Sequence, residues 1–171
     1  MRELILGGAR SGKSRLAERR ARDSGLAVTY IATAEAGDRE MDARIETHRR
    51  RRPAAWHTLE VPRELAGALA EHAADERLLL VDCLTLWLGN LLEDDRRFDW
   101  ERRALLDTLP RLPGRIVLVS NEVGLGIVPD NPLARRFRDL AGRLNQEIAA
   151  SCERVTFVAG GLPMTLKAPD A

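Results

Sequence analysis

The sequence predicts an α/β fold with a mostly parallel central sheet flanked by helices. Three observations carry that expectation. Short β-branched apolar runs recur along the chain, helical periodicity fills the gaps between them, and several runs are apolar almost throughout, as strands covered on both faces should be. The 171 residues suit a single domain over 1–171, since a chain of roughly 150 residues buries about 68–70% of its unfolded surface.

Taken in order, the first strand is expected at 3–6 (ELIL), and a glycine-rich turn leads at once into a helix over 13–24. A strand at 27–32 (AVTYIA) is followed by helices over 38–50 and 63–74. "LLLVD" gives the next strand, 78–82, and helices follow at 84–93 and 99–109. The last pattern is a strand at 115–120 (RIVLVS), a helix over 132–151 and a strand at 154–159 (RVTFVA). Pro132 suits the first position of that long helix, with Asn131 as its cap. The breaks "RPAAW", "RLPG" and "VPDNP" are short and rich in proline or glycine, so they read as loops rather than interdomain linkers. The tail "GGLPMTLKAPDA" is compatible with an ordered extension or with a frayed end.

Composition narrows the function. No apolar segment approaches the roughly 18–20 residues that span a bilayer, and the chain runs straight into its first strand. A soluble cytoplasmic protein with no membrane span is expected. Cys83 and Cys152 lie apart, without CxxC spacing or a nearby histidine, so neither a disulfide framework nor a zinc site is indicated. The dense basic block "HRRRRP" at 48–53 lacks the interleaved aromatics of a single-strand binder, and nucleic acid is not an expected partner. Of the 27 basic residues only Lys13 and Lys167 are lysine. A lysine at position 13 therefore asks for a reason.

Gly7, Gly12, Lys13 and Ser14 complete the pattern GxxxxGK[ST] between a predicted strand and a predicted helix. Glycines let the backbone curl so that successive N–H groups converge, and the helix adds its positive end. A compact ammonium reaches between β and γ phosphates where a planar guanidinium fits less well. Ser14 would give its hydroxyl to Mg²⁺, and a purine nucleoside triphosphate is the expected ligand. Asp82, closing the strand "LLLVD", suits the carboxylate that holds Mg²⁺ directly or through water. The alternative is that Asp82 caps the helix beginning near Leu84.

"GDREMDARIETHRRRRP" reads as a helix entering at Asp38 and ending at Pro53. Met41, Ile45 and His48 fall on one stripe, so His48 is either a half-buried core histidine near a helix C-terminus or a neutral imidazole nucleophile. The arginines after it would neutralise phosphates or simply be solvated. His57, in the loop after Trp56, and His72 receive no chemistry.

Several segments together resemble a known family. These are "GGARSGKS" at 7–14, "IATAEAGDREMDARIETHR" at 31–49, "RPAAWHTLEVP" at 52–62, "VDCLTLWLGNLL" at 81–92 and "SNEVGLGIVPDNPLARRFRDLAGRLNQEIA" at 120–149. The family is that of bifunctional adenosylcobinamide kinases and adenosylcobinamide-phosphate guanylyltransferases of cobalamin biosynthesis, and the likeness covers nearly the whole chain.

The resemblance implies a P-loop NTPase sheet and a homotrimer. It also implies two reactions on a corrinoid substrate: phosphorylation of adenosylcobinamide by GTP or ATP, then transfer of GMP from GTP with release of pyrophosphate. It places the GMP–histidine intermediate on His48, where Thr47 replaces a second histidine found in some relatives. It carries nucleotide contacts onto Gly7, Gly8, Ala9, Arg10, Ser11, Gly12, Lys13, Ser14, Ala32, Thr33, Ala34, Arg49, Arg50, Arg51, Arg52, Glu60 and Asp82. Glu122, in the turn "SNEVGLG", is a candidate for orienting substrate or metal, or for fixing its loop by hydrogen bonds. Trp87 and Leu88 lie on a helix that faces either a partner or the core. A plain kinase and a nucleotide-dependent switch are the competing readings, and no NKxD-like guanine signal supports the switch.

Overall fold

In a computed structural model, residues 1–35 and 52–169 are described. The helix expected over 38–50, with Thr47, His48, Arg49, Arg50 and Arg51, lies outside them. The described chain is an α/β sandwich in the order β1 (Arg2–Gly7), α1 (Lys13–Asp23), β2 (Ala27–Ala32), β3 (His57–Glu60), α2 (Leu65–His72), β4 (Arg77–Asp82), α3 (Leu84–Leu91) and α4 (Asp95–Thr108). A 3₁₀ turn (Leu109–Arg111), β5 (Arg115–Asn121), α5 (Pro132–Ser151), β6 (Arg154–Ala159) and β7 (Leu162–Lys167) complete it.

The strands form one seven-stranded sheet ordered β3-β2-β4-β5-β1-β6-β7, parallel throughout except for β7 against β6. Its interior strands are apolar because both faces are covered. Alternate residues point to opposite sides: Leu4, Leu6, Leu79 and Val81 join a core roofed by α2 to α5. Ile5, Tyr30, Leu78, Leu80, Val117 and Val119 face α1 through Leu16, Ala17 and Ala21. Arg20 of α1 pairs with buried Glu3 of β1, whose Oε1 also accepts the Thr156 hydroxyl at 3.0 Å, so α1 is locked to the strand that precedes it.

The central strands and the long last helix fall where the sequence puts them. Asn131 caps α5, its Oδ1 accepting the N–H groups of Leu133 (2.7 Å) and Ala134 (3.2 Å). Three elements add to or differ from that reading. Residues 57–60, assigned no strand from sequence and with His57 expected in a loop, are the edge strand β3, a mostly exposed run whose strand character comes from pairing Thr29↔His57 through Ala32↔Glu60. Of the two alternatives for the tail, residues 160–167 take the ordered one: Gly160 and Gly161, both at positive φ, turn the chain into β7, the geometry a two-residue hairpin requires. The helix expected from 99 starts at Asp95, because Asp94 accepts the Arg97 N–H at 3.0 Å and caps it.

Trp87 and Leu88 are fully buried in the chain's own core, and the Trp87 indole donates to the Arg63 carbonyl at 2.6 Å. They are not a partner surface. Cys83 and Cys152 are buried free thiols, pushed by burial to pKa values of about 11 and about 12 respectively. Among the described residues no helix is long and apolar enough to cross a membrane.

Candidate active site

β1 ends at Gly7 and α1 begins at Lys13, so the glycine pattern occupies the strand-to-helix turn. Gly7 has no room for a side chain, since a Cβ there would lie 2.5 Å from both Ser11 Oγ and the Val158 carbonyl. Gly12 sits at φ 99° as the N-cap of α1, with no side chain capping the helix and no acidic residue in its first turn. The orphan N–H groups and the helix dipole are thus left for an anion. Ser11 N–H donates to the Gly8 carbonyl (3.2 Å), and the Ser11 carbonyl accepts from Gly161 (2.9 Å), bracing the loop against the β6–β7 turn.

Lys13 is 8% exposed and its ammonium donates to the Gly8 carbonyl at 3.0 Å. Burial lowers its pKa below the ordinary 10.5, opposed by the neighbouring Cys83 and Asp82. A buried cation folded back over a cradle of N–H groups is suited to receive phosphate.

The second wall lies along the carboxyl edge of the same strands. Asp82 closes β4, level with Ala32 of β2 and Val119 of β5. It does not cap the following helix. Cys83 is the N-cap and makes no side-chain capping bond, while Asp82 Oδ2 accepts the Tyr30 hydroxyl at 2.9 Å. The Ser14 hydroxyl and Asp82 carboxylate are hard oxygen donors of the kind Mg²⁺ takes. No group of three or more His, Cys, Asp or Glu among the described residues could cage a metal. Such a donor set fits a magnesium ion that draws most of its ligands from phosphate and water.

Ala32, Thr33 and Ala34 leave the end of β2. The buried Thr33 hydroxyl donates to the Cys83 carbonyl (2.7 Å) and accepts the Cys83 N–H (2.8 Å). Asn90 of α3 donates to the carbonyls of Thr33 (2.7 Å) and Pro62 (2.9 Å), tying the ends of β2 and β3 together. The Arg52 guanidinium lies over the Tyr30 ring, 3.6 Å from its centroid. Arg52 and Glu60 share a cleft of about 430 Å³ with Pro53, Ala54, Trp56 and Thr58. The structure therefore links Arg52, through Tyr30, to Asp82.

Glu122 follows β5; its N–H donates to the Gly7 carbonyl (3.0 Å) and its Oε1 accepts the Gly124 N–H (2.5 Å). The turn is held from beneath by Thr85, whose hydroxyl accepts the Asn121 N–H (2.7 Å), and by Asn145, which donates to the Asn121 carbonyl (3.2 Å). Tyr30, Thr85, Asn90 and Asn145 have no individual role that the sequence motifs assign. Their signal is a polar group inside an otherwise apolar strand or helix face, which only a hydrogen-bond partner explains.

A glycine-shaped loop with the GxxxxGK[ST] pattern beside a strand-end carboxylate, on a mostly parallel sheet, defines a P-loop NTPase fold. Two solved structures agree on the fold. A Pyrococcus horikoshii protein superposes with a TM-score of 0.59 at 10% identity, over 98% of this chain and 86% of its own. The type III secretion ATPase EscN of enteropathogenic Escherichia coli gives 0.59 at 14%, over 93% and 43%.

Residues 3–166 match the family described as cobinamide kinase / cobinamide phosphate guanyltransferase, and the chain belongs to that family. It is accordingly a bifunctional transferase of cobalamin biosynthesis. The bifunctional adenosylcobalamin biosynthesis protein CobP of Pseudomonas aeruginosa is 66% identical over 169 residues, covering 98% of both chains. Its Salmonella typhimurium counterpart CobU is 43% identical over 179 residues, covering 96% of this chain and 98% of the relative.

Proposed function

We propose that both steps run on nucleotide held by the loop from Gly7 to Ser14 within a single domain spanning 1–171. The observation that carries this reading is the buried Lys13 ammonium poised over an uncapped helix start, with Asp82 beside it. In the kinase step the adenosylcobinamide hydroxyl attacks the γ phosphorus of GTP or ATP, the bond to the β-phosphate oxygen breaks, and a nucleoside diphosphate leaves. The loop N–H groups and Lys13 hold the phosphates in line and take up developing charge.

In the second step the His48 imidazole attacks the α phosphorus of GTP and pyrophosphate departs. A phosphate oxygen of adenosylcobinamide phosphate then attacks the same phosphorus, the P–N bond breaks and the imidazole is regenerated. Arg49, Arg50, Arg51 and Arg52 neutralise the phosphates, while Ala32, Thr33, Ala34 and Glu60 complete the nucleotide wall. Ser14 and Asp82 would hold Mg²⁺, which would supply charge neutralisation on the phosphates. Glu122 orients the acceptor or the metal from a turn that its own hydrogen bond to Gly124 keeps in shape.

The same reading places the enzyme in the cytoplasm as a homotrimer that takes a corrinoid substrate and no nucleic acid. Exposed Leu162, Met164 and Leu166 on the edge strand β7 support a partner contact. Incubation with Mg²⁺ and GTP labelled at the α phosphate tests the route. Wild type should carry acid-labile, base-stable label and His48→Ala none. An unlabelled wild type that still binds GTP, or a labelled His48→Ala, would remove the histidine from the mechanism.

A further inference from the structure

Tyr30 is only 2% exposed, in the middle of an apolar strand, yet its hydroxyl is spent on the one carboxylate at the end of the next strand. The sheet register explains how it gets there. Tyr30 stands opposite Leu80, so Asp82 is its diagonal neighbour two residues on, on the same face. That offset is within the reach of an aromatic side chain. The Tyr30 ring meanwhile carries the Arg52 guanidinium, 3.6 Å from the centroid.

A phenylalanine would pack against Ile5, Leu80 and Val119 as well as tyrosine does. A buried tyrosine always needs some partner for its hydroxyl, and here the partner is the carboxylate the metal would use. We propose that Tyr30 is a positioning residue with two separable duties: its hydroxyl orients Asp82 for the magnesium-bound nucleotide, and its ring seats Arg52 against the phosphates. This rests on the reading of Asp82 as the magnesium carboxylate. Outer partners of metal-holding groups fix the orientation of the group they touch.

The test is binding rather than turnover. Affinity for a non-hydrolysable GTP analogue is measured by calorimetry in EDTA and across a Mg²⁺ titration, with thermal unfolding checked for each variant. Tyr30→Phe keeps the ring and should raise half-saturating Mg²⁺ about 10-fold, leaving affinity in EDTA within about 2-fold of wild type. Tyr30→Leu should weaken binding in EDTA as well, because Arg52 loses its seat. In an Asp82→Asn background Tyr30→Phe should add no further shift.

An unchanged Mg²⁺ titration in a folded Tyr30→Phe protein overturns the positioning role, as does an equal loss with and without the metal. If Asp82→Asn itself leaves the titration unchanged, the reading of Asp82 falls. If Asp82→Asn shifts it and Tyr30→Phe does not, only the Tyr30 inference falls.

Discussion

The two walls of the site are built in different ways. The phosphate loop is a contiguous run from Gly7 to Ser14, shaped by its own glycines and closed by a hydrogen bond from Ser11 to the Gly8 carbonyl. The facing wall is assembled from Tyr30, Thr33, Arg52, Asp82 and Asn90, spread over two strands, two loop positions and a helix and joined mostly through side chains. The first needs local backbone geometry. The second exists only once β2 and β4 are in register, so its geometry is a tertiary property.

This contrast sets the largest expected effect. Lys13 is the buried cation of the loop, its ammonium folded back onto the Gly8 carbonyl, and nothing in the facing wall replaces its reach. Lys13→Ala should weaken triphosphate binding about 10–100-fold, the worth of about 1.4–2.8 kcal/mol of charge-assisted hydrogen bonding, with stability nearly unaffected. Calorimetric titration with GTP checks it. Wild-type affinity in that variant would show that the loop does not grip the phosphates, and the contrast between the walls would lose its first term.

The same division explains what could be read from the chain before its structure. The four central strands and β6 are legible because burial on both faces leaves apolar runs, and the loop is legible because glycine spacing and a lone lysine leave a local trace. Asp82 is legible as a carboxylate at a strand end, although its alternative role as a helix cap is settled only by the Tyr30 hydroxyl and the Cys83 cap. β3 leaves no such trace, since His57 to Glu60 form a strand by borrowing the edge of β2. β7 is exposed along its whole length, so no apolar alternation announces it. Tyr30 and Asn90 carry no role that the sequence reveals, because a polar group's purpose lies in a partner tens of residues away.

A smaller effect sharpens the second term. Asn90 bridges the Thr33 and Pro62 carbonyls, and Asn90→Ala leaves both acceptors without that donor. The expected loss of stability is about 1–2 kcal/mol, read by denaturant unfolding, together with weaker nucleotide binding because Thr33 is no longer held. Unfolding at the wild-type midpoint would mean that the wall is held by the sheet alone. Loss of stability with unchanged affinity would separate the latch from the site.

The smallest effect concerns the charge that both walls share. In the nucleotide-free protein burial holds the Lys13 pKa below 10.5, with Asp82 and Cys83 opposing that shift from the facing wall. A bound triphosphate favours the ammonium and raises the pKa again, so above the depressed value binding must take up a proton. Affinity is therefore fully present at pH values below the depressed pKa and falls as pH rises through it. ATP is the suitable probe above about pH 8, where its γ phosphate is already fully ionised and its adenine does not titrate. Lys13→Arg, charged throughout the range, should bind more weakly but with a flat profile. A flat wild-type profile up to pH 10.5 would mean that Lys13 does not meet the phosphates, whereas a fall that Asp82→Asn moves to lower pH would show that the facing wall sustains the loop's charge.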